Sequence, residues 1–336
     1  MTALHLRREL FRNSRFSMDR PAALAAIQYL RGNLQKGQPV PSGVFVGLST
    51  VDIVYGVDEF PSANTKIAAH SQNVYAGGPA ANAAIAFAHL GGEATLVTAV
   101  GTHPLAGIVA DEMRRNAVQL IDLNPDFDQT PAISSVTVNA KGERNVVSAN
   151  ATRISTPPAQ IDEPLLRQAA VVMVDGHHMQ ACQAWASAAR ALGMPVVLDG
   201  GSWKQGADEL LKSVDTAICS ADFMPPGCAS EPELIAYLQT RGVANIAISR
   251  GPEPIQFIFG GQRGTVPIVN VDVVDTMGAG DILHGAFCYY LSMGHALDKA
   301  LEEASKLATE SCRFHGPREW MTRLREPGNE SYPARA

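Results

Sequence analysis

The chain has 336 residues, 46% of them hydrophobic and 18% charged, with a formal net charge of −6. That length fits one large α/β domain or two smaller ones. The acidic balance argues against a nucleic-acid-binding surface, and no run of about 18 apolar residues offers a membrane-spanning helix.

The first forty residues carry Arg7, Arg8, Arg12 and Arg15 against a single acid before Met18, with no apolar stretch after them, so a secretory signal is disfavoured. A transit peptide and a start at Met18 remain as alternatives. Pro21–Gln35 is expected to form a short helix. Residues 1–40 are read as an extension, and 326–336 as a tail, around a domain over 41–325. Val44–Val54 reads as a strand, Ile67–Tyr75 as another and Pro79–Leu90 as an Ala-rich helix. Ala94–Val100 is an apolar strand and Leu105–Asn116 a helix. Ile133–Asn139 and Asn145–Ala149 alternate in polarity around Lys141-Gly142, the pattern of a hairpin. Then come strand Val171–Val174, helix Met179–Leu192 and strands at Val196–Leu198, Thr216–Cys219 and Ile246–Ser249 in a strand-then-helix rhythm. That rhythm predicts a parallel sheet covered by helices. Phe257–Phe259 and Thr265–Val269 suggest a late hairpin, and Asp281–Met293 and Leu297–Arg313 the closing helices.

The five cysteines, Cys182, Cys219, Cys228, Cys288 and Cys312, form no C-x-x-C pair and are odd in number. Free thiols in a reducing, cytoplasmic setting fit better than a disulfide framework or a structural zinc site.

The most informative stretch is Val271-Asp272-Val273-Val274-Asp275-Thr276-Met277-Gly278-Ala279-Gly280-Asp281. Glycines let backbone amides approach an anion closely, and a helix N-terminus adds free N–H groups and a positive dipole end. Amides of Gly278, Ala279 and Gly280 would face charge developing on a transferred phosphoryl group, each donor being worth roughly 2.7–4 kcal/mol of barrier. Asp281 would take the proton of an acceptor hydroxyl, a role worth about 10²–10⁴ in rate. The plainer alternative is a tight turn with an acid stabilising the helix start.

This string resembles the C-terminal signature of the ribokinase-like (PfkB) family of sugar and nucleoside kinases. Gly77-Gly78-Pro79-Ala80-Ala81-Asn82, with Leu90-Gly91-Gly92 beyond it, is similar to the family's N-terminal signature. The resemblance covers about residues 42–320. It implies a three-layer α/β fold with a central, mostly parallel sheet and a small β lid formed by about 44–56, 67–75 and 133–149. The lid would close over a sugar and serve as a homodimer interface; edge strands of a single sheet are the alternative. It further implies ATP and magnesium, with Asp52, Gly77, Gly78 and Asn82 at the sugar and Ser249, Gly251, Gly278, Gly280 and Gly316 at the nucleotide. Asp275 is the candidate for a monovalent cation such as potassium. Arg250, Arg144 and Arg153 are candidates for anionic groups or solvated loop arginines. His177-His178 makes a poor metal site, although it faces the expected cleft.

Three places depart from the family pattern. Ser220-Ala221-Asp222-Phe223 replaces an Asn-x-x-Glu associated with magnesium, so the ion would rest on the nucleotide's phosphates or on Asp222. Gly101-Thr102-His103-Pro104-Leu105-Ala106-Gly107 replaces Gly-Asp-x-Phe-Gly, and Asp281-Ile282-Leu283-His284-Gly285 replaces Asp-Thr-Phe-Asn-Gly. Ketohexokinase-like members also depart there, which favours a ketohexose-type sugar or sugar derivative, phosphorylated on a primary hydroxyl. A nucleoside kinase and a non-catalytic sensor are the rival readings. No P-loop motif and no early dinucleotide-binding unit is present.

Overall fold

The computed structural model describes residues 40–323 apart from 150, 152, 153 and 155. The expected extension over 1–40 with its helix at 21–35, Arg153 and the 326–336 tail lie outside the described residues.

Strand β1 (Ser42–Val46) leads to β2 (Thr50–Gly56) and β3 (Ser71–Gly77). Helix α1 (Pro79–His89), β4 (Glu93–Thr98), α2 (Ala106–Arg115) and β5 (Val118–Asp122) precede the hairpin β6 (Ile133–Val138) and β7 (Arg144–Ser148). The chain continues as α3 (Glu163–Gln168), β8 (Val171–Val174), α4 (Met179–Ala191), β9 (Val196–Gly200), α5 (Ala207–Leu211), β10 (Thr216–Ser220), α6 (Glu231–Thr240) and β11 (Asn245–Arg250). The antiparallel strands β12 (Glu253–Phe259) and β13 (Gln262–Val266) are followed by α7 (Ala279–Ser292), α8 (Leu297–Ser311) and α9 (Glu319–Arg323).

A nine-stranded sheet runs β13-β12-β11-β10-β9-β8-β1-β4-β5, parallel from β11 through β5, with β12 and β13 antiparallel at one edge. Its strands are apolar on both sides because both sides are covered. Phe45, Leu96, Met173 and Ile218 pack under α1, α7 and α8. Val44, Val46, Val172, Val174 and Leu198 pack under α4, α5 and α6. The result is the expected three-layer α/β fold. Successive strands add outward on one side of β1 through β4 and β5, and on the other through β8 to β11. The gap beyond the C-terminal ends of β1 and β8 is therefore the topological switch point, where open α/β sheets bind ligands.

A second sheet, β3-β2-β6-β7, stands over that gap. Val44–Val54, expected as one strand, is two: β1 ends at Val46 in the large sheet and β2 begins at Thr50 in the small one. The break lies where a side chain on Gly47 would collide with the Asp175 carboxylate and where Leu48 N–H turns to donate to Asp175 Oδ2 at 2.8 Å. Strand β3 starts at Ser71 rather than Ile67, because its pairing with β2 begins at Gly56 opposite Ser71. Strand β5 was not anticipated from sequence.

Helices α1 and α7 cross closely because small residues line the contact. A Cβ on Gly285 would lie 2.2 Å from the Ala83 carbonyl oxygen. Gly78, at φ 94°, turns the chain into α1, and Pro79 suits its first turn. This crossing brings the beginnings of the two helices together under the small sheet.

Candidate active site

Asp175, just beyond β8, ties the switch point together. Its Oδ2 accepts from the amides of Leu48 (2.8 Å) and Ala80 (3.2 Å), and its Oδ1 from His177 (2.8 Å). One buried carboxylate thus fixes the exit of β1, the start of α1 and the loop before α4. Above it opens a cleft of about 240 Å³ that includes Asp52, Gly78, Asn82, Arg144, Gly278 and Asp281 in its walls.

The small sheet supplies one wall. Asp52 is buried on β2, and Thr50 Oγ1 donates to its Oδ1 at 2.6 Å. Burial raises its pKa above the usual carboxylate value, against the hydroxyls of Thr50 and Ser134 and the Arg318 charge, while Glu112 adds to the rise. Gly77 must lack a side chain, since a Cβ there would lie 1.8 Å from Asp52 Oδ2. Arg144 Nη1 on β7 donates to Thr276 Oγ1 at 3.0 Å, linking this sheet to the loop before α7.

That loop forms the opposite wall. Gly278, at φ 74°, caps α7. The Ala279 amide turns back to Thr276 O at 3.3 Å, so the expected three-amide cradle loses that member in this arrangement. Gly280 and Asp281 lie in the first turn of the helix, where amides have no intrahelical acceptor. The space where a Gly280 side chain would project is open. Asp275 braces the loop: its Oδ1 accepts from Met277 N at 2.9 Å and its Oδ2 from Gly316 N at 2.8 Å.

Asp281 meets Asn82 at the floor, where Asn82 Nδ2 donates to Asp281 Oδ2 at 2.7 Å. The Asp281 carboxylate is partly accessible to solvent yet enclosed by protein. Burial pushes its pKa up to about 7, reinforced by the Asp199 and Asp52 charges and opposed by the Asn82 hydrogen bond and His284. One turn along α7, His284 has Nδ1 2.7 Å from Gly280 O and Nε2 3.0 Å from Ile218 O. Asp199 stands 3.4 Å from the same ring, its own pKa raised by burial and moderated by His284. His284 therefore anchors the helix start to the large sheet.

Sequence reasoning missed Asp175, Asp199, Glu112 and Arg318. Arg318 Nη2 donates to Asn82 Oδ1 (2.8 Å) and Ala76 O (2.7 Å), and its Nε to Glu112 Oε1 (2.6 Å). Isolated charged residues with no motif around them give no sequence signal of such convergence.

The cleft thus gathers Asp52, Gly78, Asn82, Gly278 and Asp281, with Gly77 packed behind Asp52. Ser249 and Gly251 lie at the end of β11, outside the cleft lining. Ser249 Oγ donates to Cys219 O at 3.4 Å. Arg250 pairs with Glu231 rather than pointing toward the cleft. Gly316 serves Asp275 through its amide. Phe223 is buried against Trp203, with ring centroids 5.5 Å apart, which leaves Asp222 as the exposed acid on that loop. His177 lines the cleft, and burial lowers its pKa against the Asp175 charge. His178 starts α4, and burial lowers its pKa to about 4.

A family profile described as "pfkB family carbohydrate kinase" matches residues 41–323. The chain is 28% identical over 260 residues to the aminoimidazole riboside kinase of Salmonella typhimurium, covering 71% of this chain and 82% of that one. It is 24% identical over 281 residues to the ribokinase of Bacillus subtilis, covering 80% and 92% respectively. Among solved structures, the adenosine kinase of Sinorhizobium meliloti superposes with a TM-score of 0.72 at 21% identity, covering 86% of this chain and 99% of that one.

Proposed function

Because this chain belongs to the pfkB family of carbohydrate kinases, an ATP-dependent group, we propose that it phosphorylates a primary hydroxyl of a small sugar, ketohexose-like or a close derivative. Asp281 is the general base in this reading. The observation that carries it is the convergence, in one cleft, of a carboxylate poised near neutrality with a helix N-terminus and two further side chains suited to hydroxyls, Asp52 and Asn82.

Each residue's part follows from its chemistry. Asp52 accepts hydrogen bonds from sugar hydroxyls, and Asn82 can donate and accept. Asp281 takes the hydroxyl proton as the alcohol oxygen bonds to phosphorus and the bridging oxygen departs with ADP. The first amides of α7, around Gly280, stabilise the charge on the phosphoryl oxygens without reorganising. The nucleotide extends from there toward Ser249 and Gly251. Magnesium, when bound, neutralises phosphate charge; Asp222 is the carboxylate on this chain that would meet it. Asp275 and neighbouring carbonyls would hold a potassium ion beside the loop. The link from Arg144 to Thr276 helps the small sheet exclude water from the phosphoryl group.

The outer face of that sheet fits a second copy of the chain. Val74 and Val147 share it with Ile53 through the registers Ile53–Val74, Ile53–Ser135 and Ser135–Val147, and they are 46% and 75% exposed. A homodimer through this face would cover both the apolar patch and the strand edges.

A riboside is the second reading, favoured by the apolar Val136, Val146 and Met277 in the cleft wall and by the riboside kinase among the relatives. The test is ADP formation with fructose, ribose, adenosine and aminoimidazole riboside, each with ATP and magnesium, with and without potassium. Turnover of a free sugar above the ribosides is the expected result. Preference for a riboside would replace the sugar reading, and binding without ADP formation across the panel would make the protein a sensor.

A further inference from the structure

We propose that Arg318 is a positioning residue for phosphoryl transfer: it holds the Asn82 side chain in the one amide orientation that donates to Asp281. The inference rests on the reading of Asp281 as the base.

A primary amide is nearly symmetric in shape, so its orientation is set by its partners. Asn82 has two, and they have opposite demands. Arg318 can only donate, and its Nη2 lies 2.8 Å from the amide oxygen. The ionised Asp281 carboxylate can only accept, and it lies 2.7 Å from the amide nitrogen. Rotating the amide by half a turn would set donor against donor on one side and oxygen against oxygen on the other. With Oδ2 of Asp281 held in this way, its other oxygen is left for the acceptor hydroxyl.

Arg318 is itself pinned. Its remaining contacts run to Glu112 Oε1, to Ala76 O and, through Nη1, to Pro317 O at 3.0 Å. Glu112 Oε2 accepts the Ala76 amide at 2.6 Å, so β3 and α2 both brace the guanidinium. The same turn carries Gly316, whose amide holds Asp275 in the loop before α7. One short segment after α8 therefore fixes both the amide beside the sugar and the loop beside the phosphate.

The charged and titratable groups around this relay come from several elements. Asp52 on β2, Asp199 on β9 and His284 on α7 act on Asp281. Arg144 on β7 and His177 before α4 share its cleft. Around Arg318 lie Glu112, Asp52 and Tyr75, with Asp275 and Glu319 also acting on Tyr75.

The test uses full-length Arg318→Met and Glu112→Gln proteins, with Asp281→Asn as reference. Folding is checked by thermal unfolding, and kcat and KM are measured from acid to alkaline pH for ATP and for the best acceptor among fructose, ribose, adenosine and aminoimidazole riboside. Arg318→Met is expected to move the acid limb of kcat upward by about one pH unit, the size of one lost hydrogen bond to a charged group. Its rate falls about tenfold on that limb and converges on wild type in alkaline buffer. Glu112→Gln is expected to shift the limb the same way by less. A folded Arg318→Met enzyme with an unmoved limb, whether its rate is normal or uniformly reduced, overturns the positioning role. If Arg318→Met does not fold, an unmoved limb in Glu112→Gln overturns it. Near-normal turnover by Asp281→Asn would instead remove the base assignment, a failure distinct from that of the relay.

Discussion

The Asn82 amide donates to the Asp281 carboxylate across 2.7 Å, although 199 positions separate them in the chain. The contact exists because α1 and α7 approach closely at Gly285, where a Cβ would stand 2.2 Å from the Ala83 carbonyl oxygen. Gly285→Ala should therefore force the helices apart. The expected cost is about 1–3 kcal/mol of stability, as for other overpacked interiors, together with a lower kcat. Chemical denaturation and steady-state kinetics on the same preparation check both effects.

The pH behaviour of Asp281 carries two signs. Turnover should rise with pH through neutrality as the carboxyl group, with its pKa near 7, ionises. Stability should move the other way. Between its ordinary value of 3.8 and about 7 the folded state binds the proton that the unfolded state has lost, so this group's contribution falls as pH rises through that window. Asp281→Asn removes the buried charge and should raise the melting temperature at about pH 8, with the gain shrinking toward about pH 4. Differential scanning calorimetry at both pH values measures it.

Gly77 leaves room for the Asp52 carboxylate. A methyl group placed there would meet Asp52 Oδ2 at 1.8 Å and displace the carboxylate from its place in the cleft wall. If Asp52 positions the sugar, Gly77→Ala should lower kcat/KM for the sugar by about 10²-fold, as expected when a substrate-positioning group moves by about 1 Å, and leave the KM for ATP close to wild type. Kinetics with each substrate varied in turn separate the two.

The exposed face around Val147 predicts the assembly. If a second copy covers it, Val147→Glu places a charge in an apolar interface and should convert a dimer to a monomer in sedimentation velocity. A monomeric wild type, or a variant that remains dimeric, removes this interface.

Much of the architecture was legible because its signals are local. The strand-then-helix rhythm from Val171 to Ser249 follows from strands buried on both faces, and the Gly278–Asp281 turn opens α7 as a glycine-led helix start should. The division of 44–54 between two sheets was not legible, because β-branched and apolar residues run through both halves; the break depends on Asp175, more than a hundred positions later. Strand β5 is short, and its buried Val118 and partly buried Leu120 and Ile121 blend with the end of α2. In the cleft, Gly78, Asn82, Gly278 and Asp281 could be picked out from sequence because each belongs to a compact string of glycines with a polar or acidic residue. Arg318 and Glu112 were not, because only the folded chain brings Arg318 to Asn82 and Glu112 to Arg318. Arg250 was a candidate for a phosphate or for a solvated loop arginine, and in the structure it pairs with Glu231 from α6.

The most direct test of the central claim is Asp281→Asn, compared with wild type for sugar binding by calorimetry and for sugar-dependent ADP release. Asp281 as the base predicts a sugar affinity close to wild type and a turnover lower by about 10²–10⁴-fold. Turnover near the wild-type rate, with the protein folded, would contradict it.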